Sequence, residues 1–275
     1  MIQSVPGHSL KQDFEIPDKF CHFVNKFFLL AVYPSMKCYF SSMKKATLLI
    51  LSACTLITTA SSSYADAEAE RILKGMRHGA TLQNSKLTGH LRKDGKRTPL
   101  ELTMSGKVIS FQFYVQKKWT GFQMQLREGN AKLFNLIQGK AKPFPADKIG
   151  QAILNSDVTY EDLSLRFLYW KNAKIDGEEV IKTQKCHRIR LTNPGKDGRY
   201  HIVYVWVHQK YGALMQVAGY NQAGQLLKRF HVTELMTLNK VQTLKKMNIE
   251  TYKPGTKKVT GITYLEFSKP KRGRL

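Results

Sequence analysis

Acidic residues are scarce: 20 Asp and Glu stand against 44 Lys and Arg, a net charge of +24 over 275 residues. That excess goes beyond what solubility needs and makes anionic surfaces candidate partners, whether lipid headgroups, acidic glycans or nucleic acid. Cysteine is scarce too. Cys21, Cys38, Cys54 and Cys186 form no C-x-x-C pair and no other zinc-ligand spacing, which argues against a ribbon or finger. Beyond residue 65, the histidines His78, His90, His187, His201, His208 and His231 never recur at i, i+4 on a helix pattern and have no acidic cluster beside them, so no metal site is expected. Neither G-x-S-x-G, G-x-x-x-x-G-K nor G-x-G-x-x-G occurs. Hydrolase-elbow, P-loop and dinucleotide readings therefore have no motif to rest on, and no cofactor is expected. Only 9 Pro and 19 Gly are present, and 42% of the chain is hydrophobic, so a globular core fits better than a collagen-like or disordered chain.

Long hydrophobic runs are also missing. The run from Phe27 to Tyr33 falls short of the roughly 20 residues a spanning helix needs. From Met43 the order is Lys44 and Lys45, an apolar stretch Ala46 to Ala60, then small residues at Ser63 and Ala65, which is the layout of a secretory signal peptide over 43–65 cleaved after Ala65. Leu51-Ser52-Ala53-Cys54 has the form of a lipobox and offers a competing processing site, with lipidation of Cys54. Against it, the apolar run continues through Leu56 and Ile57. Residues 1–42 then read as an upstream mis-start or a disordered extension. A single domain over 66–275 is expected in the periplasm, with Cys186 as its sole thiol. Six bases and three acids lie upstream of residue 66, so the positive charge stays with the exported protein.

Residues 66–78 carry both helix-end signals: Asp66 as N-cap, Glu68 and Glu70 in the first turn, Lys74 and Arg77 in the last, and Gly79 beyond. Ala69, Ile72, Leu73 and Met76 form its apolar stripe. Period-two segments follow: Leu100, Leu102 and Met104; Ile109, Phe111, Phe113 and Val115; Phe122, Met124 and Leu126. Turn signals at Asp94-Gly95, Ser105-Gly106 and Glu128-Gly129-Asn130 arrange them as an antiparallel meander. The stretch Pro143 to Leu163 breaks the rhythm with a short helical reading over 147–154 and a Thr159-x-x-Asp162 capping box, predicting a helical crossing between two halves of one sheet. Strands then resume over 165–170, 180–186, 186–191, 200–208, 213–220, 226–235 and 260–267, with turns at Asp176-Gly177, Asp197-Gly198, Tyr211-Gly212 and Ala223-Gly224. There is no short tandem repeat.

The fold class is therefore mainly β with a few helices. A sheet of so many strands must curl, and a curled apolar face left incompletely filled encloses a ligand cavity. Leu102, Met104, Phe111, Phe113, Phe122 and Met124 share one such face. They serve as core in most proteins, but large, adaptable Met and aromatic side chains also suit a cavity for acyl chains. The carboxylates Asp157, Glu161 and Asp162 sit around the capping box, and Glu178 and Glu179 follow a turn, so structural roles explain them better than acid–base catalysis does. No catalytic residue is assigned. Cys186 reads as a buried thiol despite its basic neighbours, and the aromatics interleaved with bases at Arg199-Tyr200-His201 and Lys228-Arg229-Phe230 read as a solvated face rather than a nucleic-acid site.

Ser156-Asp157-Val158-Thr159-Tyr160-Glu161-Asp162-Leu163 resembles a signature of bacterial outer membrane lipoprotein-sorting proteins, the LolA-like family. Gly177-Glu178-Glu179-Val180, Lys185-Cys186-His187-Arg188-Ile189, Asn193-Pro194, Val205-Trp206-Val207 and Tyr220 through Lys228 follow in that family's order. His208 and Asn221 stand where the family usually has Asp, at positions that shape turns. The resemblance covers about residues 66–267. It implies an open, strongly curved antiparallel half-barrel capped by helices, a carrier of lipoprotein or other lipid acyl chains. A monomer is expected, and the charge points to an anionic membrane surface or an acidic partner protein. It carries over no catalytic residue. A lipid-anchored receptor or envelope structural protein on the same fold, and an unrecognised enzyme, remain as alternatives.

Overall fold

Side-chain alternation builds the first half of the sheet. The computed structural model describes residues 67–78, 84–127, 130–137, 139–154, 156–195, 197–238 and 241–268, all within one compact unit, Thr55–Leu275. The leader over 43–65, the lipobox at Cys54 and the upstream segment 1–42 lie outside the described residues. Residues 67–78 form helix α1, with Ala69 and Leu73 in the core and Ile72 and Met76 packed against it. Strands β1 (Ser85–Lys93), β2 (Lys96–Ser105), β3 (Val108–Val115), β4 (Lys118–Arg127), β5 (Asn130–Ile137) and β6 (Lys140–Pro143) then meander antiparallel. Register sets Leu102 opposite Phe111 and Phe111 opposite Phe122. The two phenyl rings stack at 5.1 Å, while Gln112, Gln123 and Gln125 take the other face.

The second half comprises β7 (Lys174–Ile181), β8 (Gln184–Thr192), β9 (Ile202–His208), β10 (Leu214–Tyr220), β11 (Leu226–Leu238), β12 (Val241–Tyr252) and β13 (Val259–Phe267). The first strand, β1, pairs with the last, β13, and this seam joins both halves into one antiparallel sheet of 13 strands. The sheet is not closed into a barrel. Its edges are β6 and β7, and β6 is blunted by exposed Lys140, Lys142 and Pro143. Among the described residues no helix is long and apolar enough to cross a membrane.

The chain between β6 and β7 runs from one sheet edge to the other and carries much of the core, including Ile149, Ile153, Val158, Leu163, Phe167, Leu168 and Trp170. Its capping box forms as the sequence predicts. Thr159 Oγ1 accepts from the Asp162 N–H at 3.1 Å and Asp162 Oδ2 from the Thr159 N–H at 2.8 Å, starting helix α2 (Tyr160–Ser164). Leu165, left-handed with φ 46°, ends it.

Three readings are corrected. The helix predicted over 147–154 is only a 3-10 turn, Ala146–Lys148, because the following backbone pairs sideways with 158–161: Ile153 N donates to Val158 O, and Glu161 N to Ile149 O. The strand predicted over 165–170 is a 3-10 turn, Arg166–Tyr169; its apolar residues bury in the crossing rather than on one pleat. Finally, Asp176-Gly177 is no hairpin turn. Gly177, with φ 139°, sits at a register shift inside β7, and the hairpin closes at Lys182-Thr183, so Cys186 belongs to β8 alone. Strands β1, β5, β6 and β12, unread in the sequence, complete the sheet.

Candidate functional site

The concave face of the sheet, the crossing and α1 enclose a cavity of about 590 Å³. Leu102, Met104, Phe111 and Met124 stand in its wall. Phe113 and Phe122 are not among the lining residues. Both are buried, Phe113 opposite Leu100 and Phe122 edge-on to Tyr160 at 5.3 Å and Phe144 at 6.4 Å. Alternation gives the face a residue points to, but Tyr160 and Phe144 of the crossing cover Phe122 on that face.

The rest of the wall was missed in the sequence. The second half supplies Phe230, Val232, Met247, Ile249, Leu265 and Phe267, the crossing supplies Leu163, Leu168 and Tyr169, and α1 supplies Ile72 and Met76. A signal existed for β11 and β13, whose alternation matches that of β2–β4. Strand β12 is dominated by Lys, Gln and Thr between its apolar residues and gave little.

A buried polar cluster adjoins the cavity through Asp162, which lies in its wall. Asp162 Oδ1 accepts from the Tyr200 hydroxyl at 2.5 Å, and Lys228 Nζ lies 3.4 Å from Oδ2. Lys228 also donates to the Asp157 carbonyl. The Asp157 carboxylate pairs with Lys93 at 2.7 Å and its N–H donates to Thr263 Oγ1. Burial lowers the Lys228 ammonium, opposed by Asp162 and Asp157, and raises the Tyr200 phenol, helped by Asp162. Glu161 is 1% exposed. Burial pushes its carboxyl up to about 7 although Oε2 accepts from the Arg199 N–H at 2.7 Å, and Oε1 is buried without a hydrogen-bond partner. Gly198, at φ +84°, makes this possible, because a Cβ there would strike the Glu161 carboxyl.

These contacts give the Asp157, Glu161 and Asp162 carboxylates structural work, tying the crossing to the sheet. Glu179 is likewise bound, to Arg188 and, at 2.8 Å, to the Trp206 indole N–H. His208 shapes a turn: Nδ1 accepts from the N–H groups of Lys210 and Tyr211 at 3.0 and 3.2 Å. Asn221 does the same for Gln225 N at 2.9 Å. Cys186 is fully buried, and burial raises its thiol pKa. Among the described residues no group of three or more His, Cys, Asp and Glu is placed to hold a metal ion.

Three solved structures share this architecture. A DUF1329 family protein from Desulfovibrio piger superposes with a TM-score of 0.59 at 15% identity, over 74% of this chain and 91% of that one. A putative outer membrane lipoprotein-sorting protein domain from Vibrio parahaemolyticus gives 0.60 at 16%, over 74% and 92%. A LolA superfamily protein from Nitrosomonas europaea gives 0.53 at 14%, over 71% and 91%. These likenesses are of fold. No curated protein matches the chain. A family model described as an uncharacterized protein matches residues 109–272. That match spans more than half of the chain, which therefore belongs to this family of uncharacterized proteins and has the fold of the LolA-like, outer membrane lipoprotein-sorting proteins.

Proposed function

We propose that the protein is a periplasmic carrier that shields the acyl chains of an envelope lipid from water. The observation that carries this reading is the cavity of about 590 Å³, walled by Leu, Met, Ile and Phe from both halves of the sheet and covered by the crossing and α1. Each buried CH₂ of a ligand contributes roughly 0.8 kcal/mol. Met104, Met124 and Met247 let the wall adapt to a flexible chain without fixing it. The positive charge left after residue 65, 38 bases against 17 acids or +21, would steer encounter with anionic membrane or an acidic partner, an attraction that salt screens over about 8 Å at physiological strength. The secretory-signal layout of the sequence over 43–65 supports the location, as does the fold shared with a putative lipoprotein-sorting domain. No catalytic step is assigned.

Native mass spectrometry of protein purified without detergent tests the reading. Wild type should carry lipid, and Phe111→Asn and Met124→Asn should carry less while remaining folded. A folded wild type that stays empty even when offered phospholipid or lipoprotein overturns it. Leu51-Ser52-Ala53-Cys54 favours a second reading, a lipid-anchored receptor on the same fold. The mass of the mature N-terminus separates the two, unmodified Asp66 for the carrier and diacylated Cys54 for the receptor.

A further inference from the structure

We infer, resting on the carrier reading, that the ligand is an amphiphile with a single alkyl chain and an anionic headgroup, and that Arg77 holds that headgroup. Volume limits the chain. About 590 Å³ falls within the roughly 300–1,000 Å³ that encloses one ligand of drug size, which suits one long chain and not the three chains of a triacylated anchor.

Charge selects the headgroup. Arg71, Arg77 and Asp162 are the formal charges in the wall, beside His187 and His208. Asp162 is already engaged by the Thr159 N–H, the Tyr200 hydroxyl and Lys228, so it presents little free anion to the cavity. Arg71 is 75% exposed and pairs with Glu68 at 2.5 Å. Arg77 differs. Its side chain is 12% exposed, its Nη1 donates to the Leu168 carbonyl at 3.2 Å, and its guanidinium lies 5.5 Å from the centre of the Tyr169 ring. Leu168 and Tyr169 are themselves wall residues, so the crossing fixes the guanidinium beside the cavity.

The carboxylate partner of Arg77, Glu70, is half exposed and screened by water. A guanidinium has five N–H donors and can serve a second anion bidentately, more strongly where water is excluded. Burial pushes the Tyr169 phenol up to about 12, so it keeps a proton to donate.

The test offers the full-length chain a series of ligands: palmitate, palmitoyl-lysophosphatidylglycerol, monopalmitoylglycerol, hexadecyltrimethylammonium, dipalmitoylphosphatidylglycerol and a triacylated lipopeptide. Stoichiometry is read by native mass spectrometry and affinity by displacement of a fluorescent fatty acid. One anionic single-chain ligand per protein should bind about tenfold more tightly than the neutral one, as a hydrogen bond to a charged group allows, with the cation weakest. Palmitate against the lysophospholipid tells a carboxylate from a phosphate. Arg77→Gln should bring the anionic ligands down to the neutral one and leave the neutral one unchanged, while Arg77→Lys keeps part of the preference. If Arg77→Gln does not fold, the wild-type series and Arg77→Lys decide. Tighter binding of the triacylated lipopeptide, or equal loss of neutral and anionic ligands in Arg77→Gln, overturns the inference. Neutral binding without anionic preference removes it but leaves the carrier reading standing. Retention of no amphiphile at all removes both.

Discussion

Strands β1–β6 pair from Lys93↔Lys96 to Phe134↔Pro143 without one register shift. In the second half, shifts interrupt β7·β8, β9·β10, β10·β11, β11·β12 and β12·β13. Each shift bends its strand locally and adds twist, so the second half carries bends that the pairings of the first half lack. The outer faces differ as well. Gln112, Gln123 and Gln125 lie outward in the first half, whereas in the second Cys186, Trp206 and Ala218 form a buried outer cluster with Tyr204 and Tyr220. The second half also supplies Tyr200 and Lys228, the residues that hold the crossing through Asp162. Both halves thus line the cavity, but only the second also anchors the crossing and buries a cluster on its outer face. Damage to the anchor should cost stability, and damage to the wall should cost binding.

The largest expected effect is at the anchor. Asp162→Ala removes the capping-box acceptor, the Tyr200 partner and the carboxylate beside Lys228, which is 2% exposed. Breaking a buried ion pair from one side costs about 3–5 kcal/mol, and loss of the cap about 1 more. Urea denaturation should show a loss of at least about 4 kcal/mol, with Lys228→Met at Asp162→Ala restoring part of it. A loss no larger than that of a surface substitution would mean that the cluster does not hold the crossing.

Next in size is the pH dependence that Glu161 gives the same anchor. Its carboxyl titrates near 7 in the folded chain against an ordinary 4.5. Below about 4.5 it is protonated folded and unfolded alike and costs nothing. As pH rises the unfolded chain ionises first, so stability falls until about 7, by on the order of 3 kcal/mol, and stays lower above. Glu161→Gln should flatten that fall in melts taken between pH 4 and 8. Wild type and variant with parallel profiles would show that burial does not suppress ionisation of Glu161.

Legibility in the sequence follows the same division. In the first half, alternation and Asp94-Gly95 and Ser105-Gly106 signals sufficed to place β2, β3 and β4, because one face meets the core and the other water. In the second half the same cues misplaced a hairpin. Asp176-Gly177 has turn composition, yet Gly177 serves a bulge, while the real turn at Lys182-Thr183 has φ of 48° and 68° without Gly or Asn. In the crossing, Thr159-x-x-Asp162 was readable because a capping box is local chemistry. The burial of Glu161, Tyr200 and Lys228 was not, because their partners lie 38 to 71 residues away in sequence. Four of the six proposed wall residues border the cavity, Phe113 is buried opposite Leu100, and Phe122 lies against Tyr160 and Phe144 of the crossing, partners likewise distant in sequence.

A smaller effect is expected on the wall itself. Met124 already borders open space, so truncation enlarges a cavity instead of creating one, and Met124→Ala should cost about 1–2 kcal/mol, below the 2–5 usual for a buried Met. Its pH profile should match wild type, and its ligand affinity should change more than its stability. A cost like that of Asp162→Ala would erase the distinction between wall and anchor.

The smallest effect compares turns from the two halves. Gln116-Lys117 joins β3 to β4 and Lys182-Thr183 joins β7 to β8, and all four residues have φ between 48° and 68°. Two-residue hairpins need that conformation to match strand twist, and Gly enters it without steric cost. Thr is β-branched, so a left-handed backbone crowds its side chain more than it does Lys. Thr183→Gly should therefore stabilise the protein by about 0.5–1 kcal/mol, the gain from relieved strain exceeding the entropy that Gly adds to the unfolded chain, and Lys117→Gly by less. Chemical denaturation of the two variants side by side measures the difference. Equal gains would place the strain in the turn geometry alone, and a loss at Thr183→Gly would show that the Thr183 hydroxyl, which bonds the Lys182 carbonyl at 2.5 Å, outweighs the backbone strain in fixing the edge hairpin of the anchor half.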